Sequence, residues 1–318
     1  GGGMTHAPLA AAHHGLGRHN TPNQVFDKDV AMNIFERAAL VEHLDALAAT
    51  TWHKVSIGPK RGHKFREESV TDHNLFALDE AHAALTVYKF DSGEEPLNGA
   101  DFDWWLGSDN AGWTGIRFQA KKLDDGVYAK LGYRVGVDRQ YDLLIEEALS
   151  DGVWPFYCFY NGWEGGWPPA ISNAACRNGR EPVTLNSTRG RDACTHVSLE
   201  HFGCAVAPAQ AVRRRHRGAR RGRLEFESYL PASIPWSRMF EGTSRFADDD
   251  PQMQEATVQQ DVESNLGAFF ASQDLPDQGG SRLPELPAWV EAVRRGERGE
   301  ARYARKPRAL VLFDLATG

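Results

Sequence analysis

Two acids, a carboxamide and an ammonium group stand in one short stretch, NGADFDWWLGSDNAGWTGIRFQAKKL. Asp101 and Asp103 lie two residues apart before a turn, and Gln119 and Lys121 lie two residues apart after it. Side chains on a strand alternate between faces, so Asp101, Asp103 and Trp105 share one face while Ala100, Phe102 and Trp104 share the other. The second strand sorts into Arg117, Gln119 and Lys121 against Ile116, Phe118 and Ala120. A hairpin must keep its apolar faces together, because a slip of one residue would bury the charges. With a loop of about five residues near 108–112, this parity sets Asp101 opposite Gln119, with Lys121 diagonal to it. The alternation predicts a sheet packed against a core on one side only.

Acid, amide and ammonium within one side-chain reach suit a hard divalent cation such as Mg²⁺ or Mn²⁺. Such an ion takes carboxylate and carbonyl oxygens, keeps some waters, and accepts phosphate oxygens from a substrate. Asp101 and the Gln119 carbonyl would supply oxygens, and Lys121 would neutralise charge developing on a phosphoryl group or orient the attacking water. Asp103 is a rival ligand on the same face. The plain alternative is a cross-strand Asp101–Lys121 ion pair on an exposed face.

The elements that must hold this hairpin are legible around it. Residues 27–50 repeat apolar positions at helical steps, and a second helical pattern starts near Phe65 and carries Leu75, Leu78 and Leu85. TVYKF is a short strand, and QYDLLIEEALSDG is a helix stopped by Gly152. VWPFYCFYNG is a buried strand. The order helix, strand, strand, strand, helix, strand predicts an α/β fold with a mixed central sheet flanked by helices. Its parts would be a flexible leader over 1–26 with a tag remnant at Gly1–Gly3, a core over 27–162, and a loop-rich region over 163–318 packed on that core. Within the last, residues 163–191 are irregular, LEHFGCAVAPAQAV is a short helix, RLEFESYL is strand-like and PRALVLFDL is a final strand.

At this point the residues resemble a family. GADFDWWL, a turn and IRFQAKK resemble the D…(D/E)xK signature of restriction-endonuclease-like nucleases, in the QxK variant of Mrr-type and related bacterial defence nucleases, over residues 64–162. The sequence departs from the pattern in lacking a Pro before Asp101 and in carrying Gln119 for the second acid. The resemblance implies a restriction-endonuclease-like core with a long insertion and a C-terminal extension. It also implies Mg²⁺-dependent hydrolysis of DNA phosphodiesters, with defence against phage as the setting. An acid on the helix before the first strand joins the site in QxK members. FREESVTD offers Glu67, favoured as one turn before Thr71, and Glu68 as the second candidate.

Composition bounds the alternatives. The 318 residues are 41% hydrophobic and 10% aromatic, enough for one large or two modest cores, and the formal charge of −7 excludes a uniformly basic protein. Charge is uneven: RRRHRGARRGR, residues 213–223, holds seven arginines, whereas 241–265 is strongly acidic. The arginine run is read equally as a solvated loop or a phosphate contact. Arg213, Arg214, Arg215, Arg117 and Lys122 are the nucleic-acid candidates. Cys158, Cys176, Cys194 and Cys204 form no CxxC pair, and the histidines form no HExxH. Trp104, Trp105 and Trp113 are expected in packing rather than as base-stacking platforms. Asp72, His73 and Asn74 suggest an HNH site but fall inside a helical pattern, which disfavours it. The expected protein is cytoplasmic, acts on DNA and not on a membrane, and works as a homo-oligomer or beside a regulatory defence partner. The competing reading is an inactive nucleic-acid-binding or sensing module with the same fold.

Overall fold

The structure, a computed structural model, describes residues 34–90, 99–164, 199–218, 224–242, 251–275, 280–297 and 307–315. Helix α1 (Ile34–Ser56) forms because Leu40, Leu44, Leu47, Ala48 and Val55 recur on one side, and that stripe is buried. Helix α2 (Glu67–Ala81) follows and buries Val70, Asn74, Leu75 and Leu78. Strands β1 (Leu85–Lys89), β2 (Phe102–Ser108) and β3 (Gly112–Lys122) come next, then a two-stranded ribbon, β4 (Arg134–Val135) with β5 (Asp138–Arg139). Helix α3 (Gln140–Ser150) leads into β6 (Trp154–Tyr160). Then come β7 (Cys204–Pro208), α4 (Ala209–Arg217), β8 (Ile234–Pro235), α5 (Pro251–Ser272), α6 (Ala288–Arg294) and β9 (Ala309–Asp314).

Seven strands form one mixed sheet in the order β1-β9-β2-β3-β6-β7-β8. The β2–β3 pair is antiparallel, and β9 and β6 flank it in parallel with β2 and β3 respectively. The mixed sheet with flanking helices is the expected architecture. The C-terminal region is more than an addition to it, since β7, β8 and β9 are strands of the sheet and β9 lies between β1 and β2.

Both sheet faces are covered, which corrects the one-sided packing. Phe102, Trp104 and Phe118 belong to the larger core with α1, α2 and α5, while Trp105, Trp113, Leu310 and Leu312 pack with Val290 and Val293 of α6. All seven residues of β2 are consequently buried. Three further elements differ from expectation. Leu85, counted in the second helical pattern, opens β1 after α2 has ended at Ala81. LEHFGCAVAPAQAV splits into a 3-10 turn (Leu199–Gly203), β7 and the start of α4, because Cys204–Pro208 finds a strand partner in β6. The RLEFESYL segment forms 3-10 turns at Phe226–Ser228 and Leu230–Ala232 instead of a strand. Part of the acidic stretch is α5, whose Asp261 holds Arg37 of α1 at 2.7 Å. The HNH triplet lies within α2, and the irregular 165–191 lies outside the described residues, as do Cys176 and Cys194. Among the described residues no helix is long and apolar enough to cross a membrane.

Candidate active site

The hairpin pairs in the register that parity requires. Phe102 faces Phe118, Asp103 faces Arg117 and Ser108 faces Gly112, so the connection is shortened to residues 109–111. Gly112 holds φ +83°, and a Cβ there would meet the Leu283 carbonyl oxygen at 2.8 Å, so the tight corner requires glycine. One step before the 102–118 pair, Asp101 comes opposite Gln119. β3 runs on past the start of β2, which leaves backbone N–H groups on that side without a strand partner. Asp101 Oδ2 accepts the Ala120 N–H at 2.8 Å, and Glu67 Oε2, from the first residue of α2, accepts that of Lys122 at 2.8 Å. The two acids are thus fixed by the same overhang.

Around them the polar groups converge. Gln119 donates its amide N–H to Asp101 Oδ2 and also to the Ala120 carbonyl at 3.0 Å. Lys121 Nζ lies 3.6 Å from Glu67 Oε1. The Asp101 carbonyl accepts the N–H groups of Arg308 and Ala309 where β9 begins, and this brings the Arg308 side chain to 3.9 Å from Asp101 Oδ1 and 3.5 Å from Glu68 Oε1. Burial pushes the Asp101 carboxyl above its ordinary value, with Lys121, the Ala120 N–H and Arg308 opposing it. The Glu67 carboxyl is raised by burial too, with Lys121 pulling it down and Asp101 pushing it further up. Glu68 is more exposed and lies below its usual value, held there by a backbone hydrogen bond and by Arg308. Glu67, Glu68, Asp101 and Arg308 line a cavity of about 100 Å³, with Asp72 and Lys89 paired on its rim. That volume suits an ion with a few waters rather than a whole nucleotide. Gln119 and Lys121 lie behind the two acids rather than on the cavity wall, buried at 2% and 5% exposure.

Asp103 and Arg117 do something different. The Arg117 guanidinium grips Asp103 through Nε at 3.0 Å and a terminal nitrogen at 2.9 Å, and its other terminal nitrogen reaches Asp151 at 2.8 Å. Burial opposes the Arg117 charge, but the two carboxylates outweigh it and hold it above its usual value. Asp103 and Arg117 are each 1% exposed. Asp103 is therefore spent on Arg117 rather than offered as a ligand, and Arg117 is closed off from any nucleic acid.

The remaining nucleic-acid candidates are also engaged with the chain itself. Lys122 donates to the Leu123 carbonyl at 3.2 Å and lies 3.7 Å from Asp124. On α4, Arg213 and Arg217 share Asp142, at 3.6 and 2.5 Å, while Arg214 and Arg215 bond Gln273. This part of the arginine run is a helix, and 219–223 lies outside the described residues. Sequence reasoning missed Arg308. Its signal was only a cation at the second position of the predicted strand PRALVLFDL.

Among the described residues no three histidines, cysteines or acids cluster closely enough to hold a metal alone. Of the four carboxylates that line the cavity, Glu68 lies beside Arg308 and Asp72 pairs with Lys89; Glu67 and Asp101, with the Gln119 carboxamide behind them, are donor types that fit a hard ion completing its shell with water and substrate oxygens. As placed, the Gln119 nitrogen rather than its oxygen faces Asp101, so ligation by Gln119 requires its amide to turn over.

Fold and site together define an α/β protein with a half-open acidic and basic pocket where the central hairpin begins. The chain belongs to a family of unknown function, DUF6615, whose model matches residues 40–315. No curated protein and no solved structure matches it.

Proposed function

We propose that this protein is a metal-dependent nuclease that hydrolyses DNA phosphodiester bonds, with Asp101, Glu67, Gln119 and Lys121 as its catalytic group. The observation that carries the reading is that Glu67 of α2 and Asp101, just before β2, line one cavity, with Gln119 and Lys121 of β3 buried behind them and bonded to Asp101 and paired with Glu67 respectively. The order of α2, β1, the hairpin, α3 and a β6 parallel to β3 supports it by resemblance to restriction-endonuclease-like cores. Bacterial anti-phage defence is the setting that resemblance suggests.

Asp101 and Glu67 would hold Mg²⁺ or Mn²⁺, with the Gln119 carbonyl as a third protein ligand. When bound, such an ion lowers the pKa of a coordinated water and withdraws charge from the phosphoryl oxygens. The protein's own contribution is placement. The Ala120 and Lys122 N–H groups fix the two carboxylates, and Glu67 fixes the Lys121 ammonium beside them. Lys121 then donates hydrogen bonds to the oxygens on which charge grows as water attacks, from a position shielded from bulk solvent where such contacts are strong. Incubation of the pure protein with plasmid and Mg²⁺ or Mn²⁺, beside Lys121→Ala, tests this. Cutting that falls by about 10³-fold in the variant is expected, and equal cutting by both proteins rejects the assignment.

A second reading, a nucleic-acid-binding module without hydrolysis, draws on the burial of Gln119 and Lys121. A phosphate reaches Lys121 only if its pairing with Glu67 loosens. Salt-sensitive DNA binding with no cleavage under any divalent ion would select it.

A further inference from the structure

Residues 51–66, TWHKVSIGPKRGHKFR, carry Lys54, Lys60, Arg61, Lys64 and Arg66 with two histidines and no acid, within a chain of net charge −7. They form the last turn of α1, a 3-10 turn at Pro59–Arg61 and the approach to α2. The turn is held by its own backbone: the Arg61 and His63 N–H groups reach the Gly58 carbonyl at 3.0 and 2.9 Å, and that of Gly62 reaches Pro59 at 3.1 Å. Gly58 is needed at this corner, since a Cβ there would lie 2.3 Å from the Lys54 carbonyl oxygen.

The cations on this turn are presented outward. Lys60, Arg61, Lys64 and Arg66 are exposed and Lys54 is half-buried. Lys60 pairs with Glu164. Among the described residues, no carboxylate lies within salt-bridge reach of Lys54, Arg61, Lys64 or Arg66, in contrast to the arginines that α4 spends on Asp142 and Gln273. His53, Lys54, Ile57, Arg61 and Phe65 line an open cavity of about 450 Å³. Phe65 of that cavity and Glu67 of the catalytic one are separated by Arg66 alone, so their Cα atoms lie within about 7 Å. The turn and the Glu67 carboxylate are thus neighbours along the chain, close enough for one backbone to touch both.

We propose that the Lys54–Arg66 turn is the surface that grips the phosphate backbone of DNA and delivers it to the Asp101–Glu67 cleft, an inference that rests on the nuclease reading. Free cations spaced along a fixed, exposed turn neutralise successive phosphates and release counterions, so binding falls steeply with salt.

The test is fluorescence anisotropy of a labelled 20-bp duplex with the full chain in EDTA, titrated with salt. Wild type is compared with Arg61→Ala/Lys64→Ala and with a control, Arg213→Ala/Arg214→Ala. Loss of two phosphate contacts should lower the slope of log K against log salt by roughly 1.8 and weaken binding at least about tenfold, with the control unchanged. Melting curves should coincide, because the removed side chains are exposed and the turn's hydrogen bonds are all backbone. Identical binding by the turn variant and wild type overturns the proposal, as does an equal loss in the control, an absence of duplex binding, or displacement of the duplex by polyglutamate at equal charge. Because EDTA removes the divalent ion, the two readings fail separately. Duplex gripped by the turn but never cut would refute the nuclease reading alone, while cutting that is indifferent to Arg61 and Lys64 would refute this one alone.

Discussion

Asp103–Arg117 and Asp101–Lys121 are two acid–cation sets on the same face of the same hairpin, their acids two residues apart and their cations four, and they have opposite characters. In the first, a planar guanidinium meets a carboxylate through paired hydrogen bonds and finds a second, half-exposed carboxylate in Asp151, so every charge has a partner and the Asp103–Arg117 pair itself is sealed. In the second, Asp101 and Glu67 share the compact Lys121 ammonium, with the Arg308 guanidinium 3.9 Å from Asp101; both carboxyls are nevertheless driven upward by burial, and the two acids open to a cavity. A saturated buried pair is part of the fold. An undercompensated one beside an opening is where an ion and a phosphate can be received.

The sealed pair should show the larger effect on stability. Asp103→Ala leaves the Arg117 charge buried with only Asp151 for company, and urea denaturation should report a loss of about 3–5 kcal/mol, with cleavage per folded molecule kept within a few-fold. A loss below about 1 kcal/mol would mean that the pair is no more than a surface-like contact.

The open pair should show the reverse. Glu67→Gln keeps an oxygen for the Lys122 N–H but removes a ligand charge. Cleavage should fall by about 100-fold, roughly 2.7 kcal/mol in the barrier, while stability without metal is unchanged or slightly raised. A variant that unfolds while cutting normally per folded molecule would turn the comparison around.

The smallest effect is on pH dependence. A carboxyl whose folded pKa is raised adds stability that is fully present below its unfolded value and is lost as pH rises through the folded one. In the metal-free protein the contribution of Glu67 and Asp101 to stability should therefore decline from roughly pH 4 upward, through the window between their ordinary and raised values. Glu67→Gln should flatten that decline by up to about 1 kcal/mol, as read from melting curves across pH. An identical profile in both proteins would show that Glu67 ionises without hindrance.

Much of this was legible in residue order. Period-two alternation over 100–106 and 116–121 fixed which side chains share a face, and parity alone brought Asp101 to Gln119. Helical spacing found α1, α2 and α3. The difference between the two acid–cation sets was not legible, because Asp103 and Asp101 follow the same pattern. It depends on Asp151 at the end of α3 and on a cover from α6 contributed about 190 residues later in the chain. The place of β9 was hidden for the same reason, since strand order is decided by distant pairing, and Arg308 went unseen with it. The basic turn falls between the two helical patterns, where Gly58, Pro59 and Gly62 signal only a break in helix.

The most direct measurement is the anomalous scattering of a crystal soaked in Mn²⁺. The account predicts one ion between the carboxylates of Asp101 and Glu67, with the Gln119 amide turned to present its oxygen and the Asp103–Arg117 pair undisturbed. A cleft that stays free of the ion at saturating Mn²⁺, or an ion bound at Asp103 instead, would contradict it.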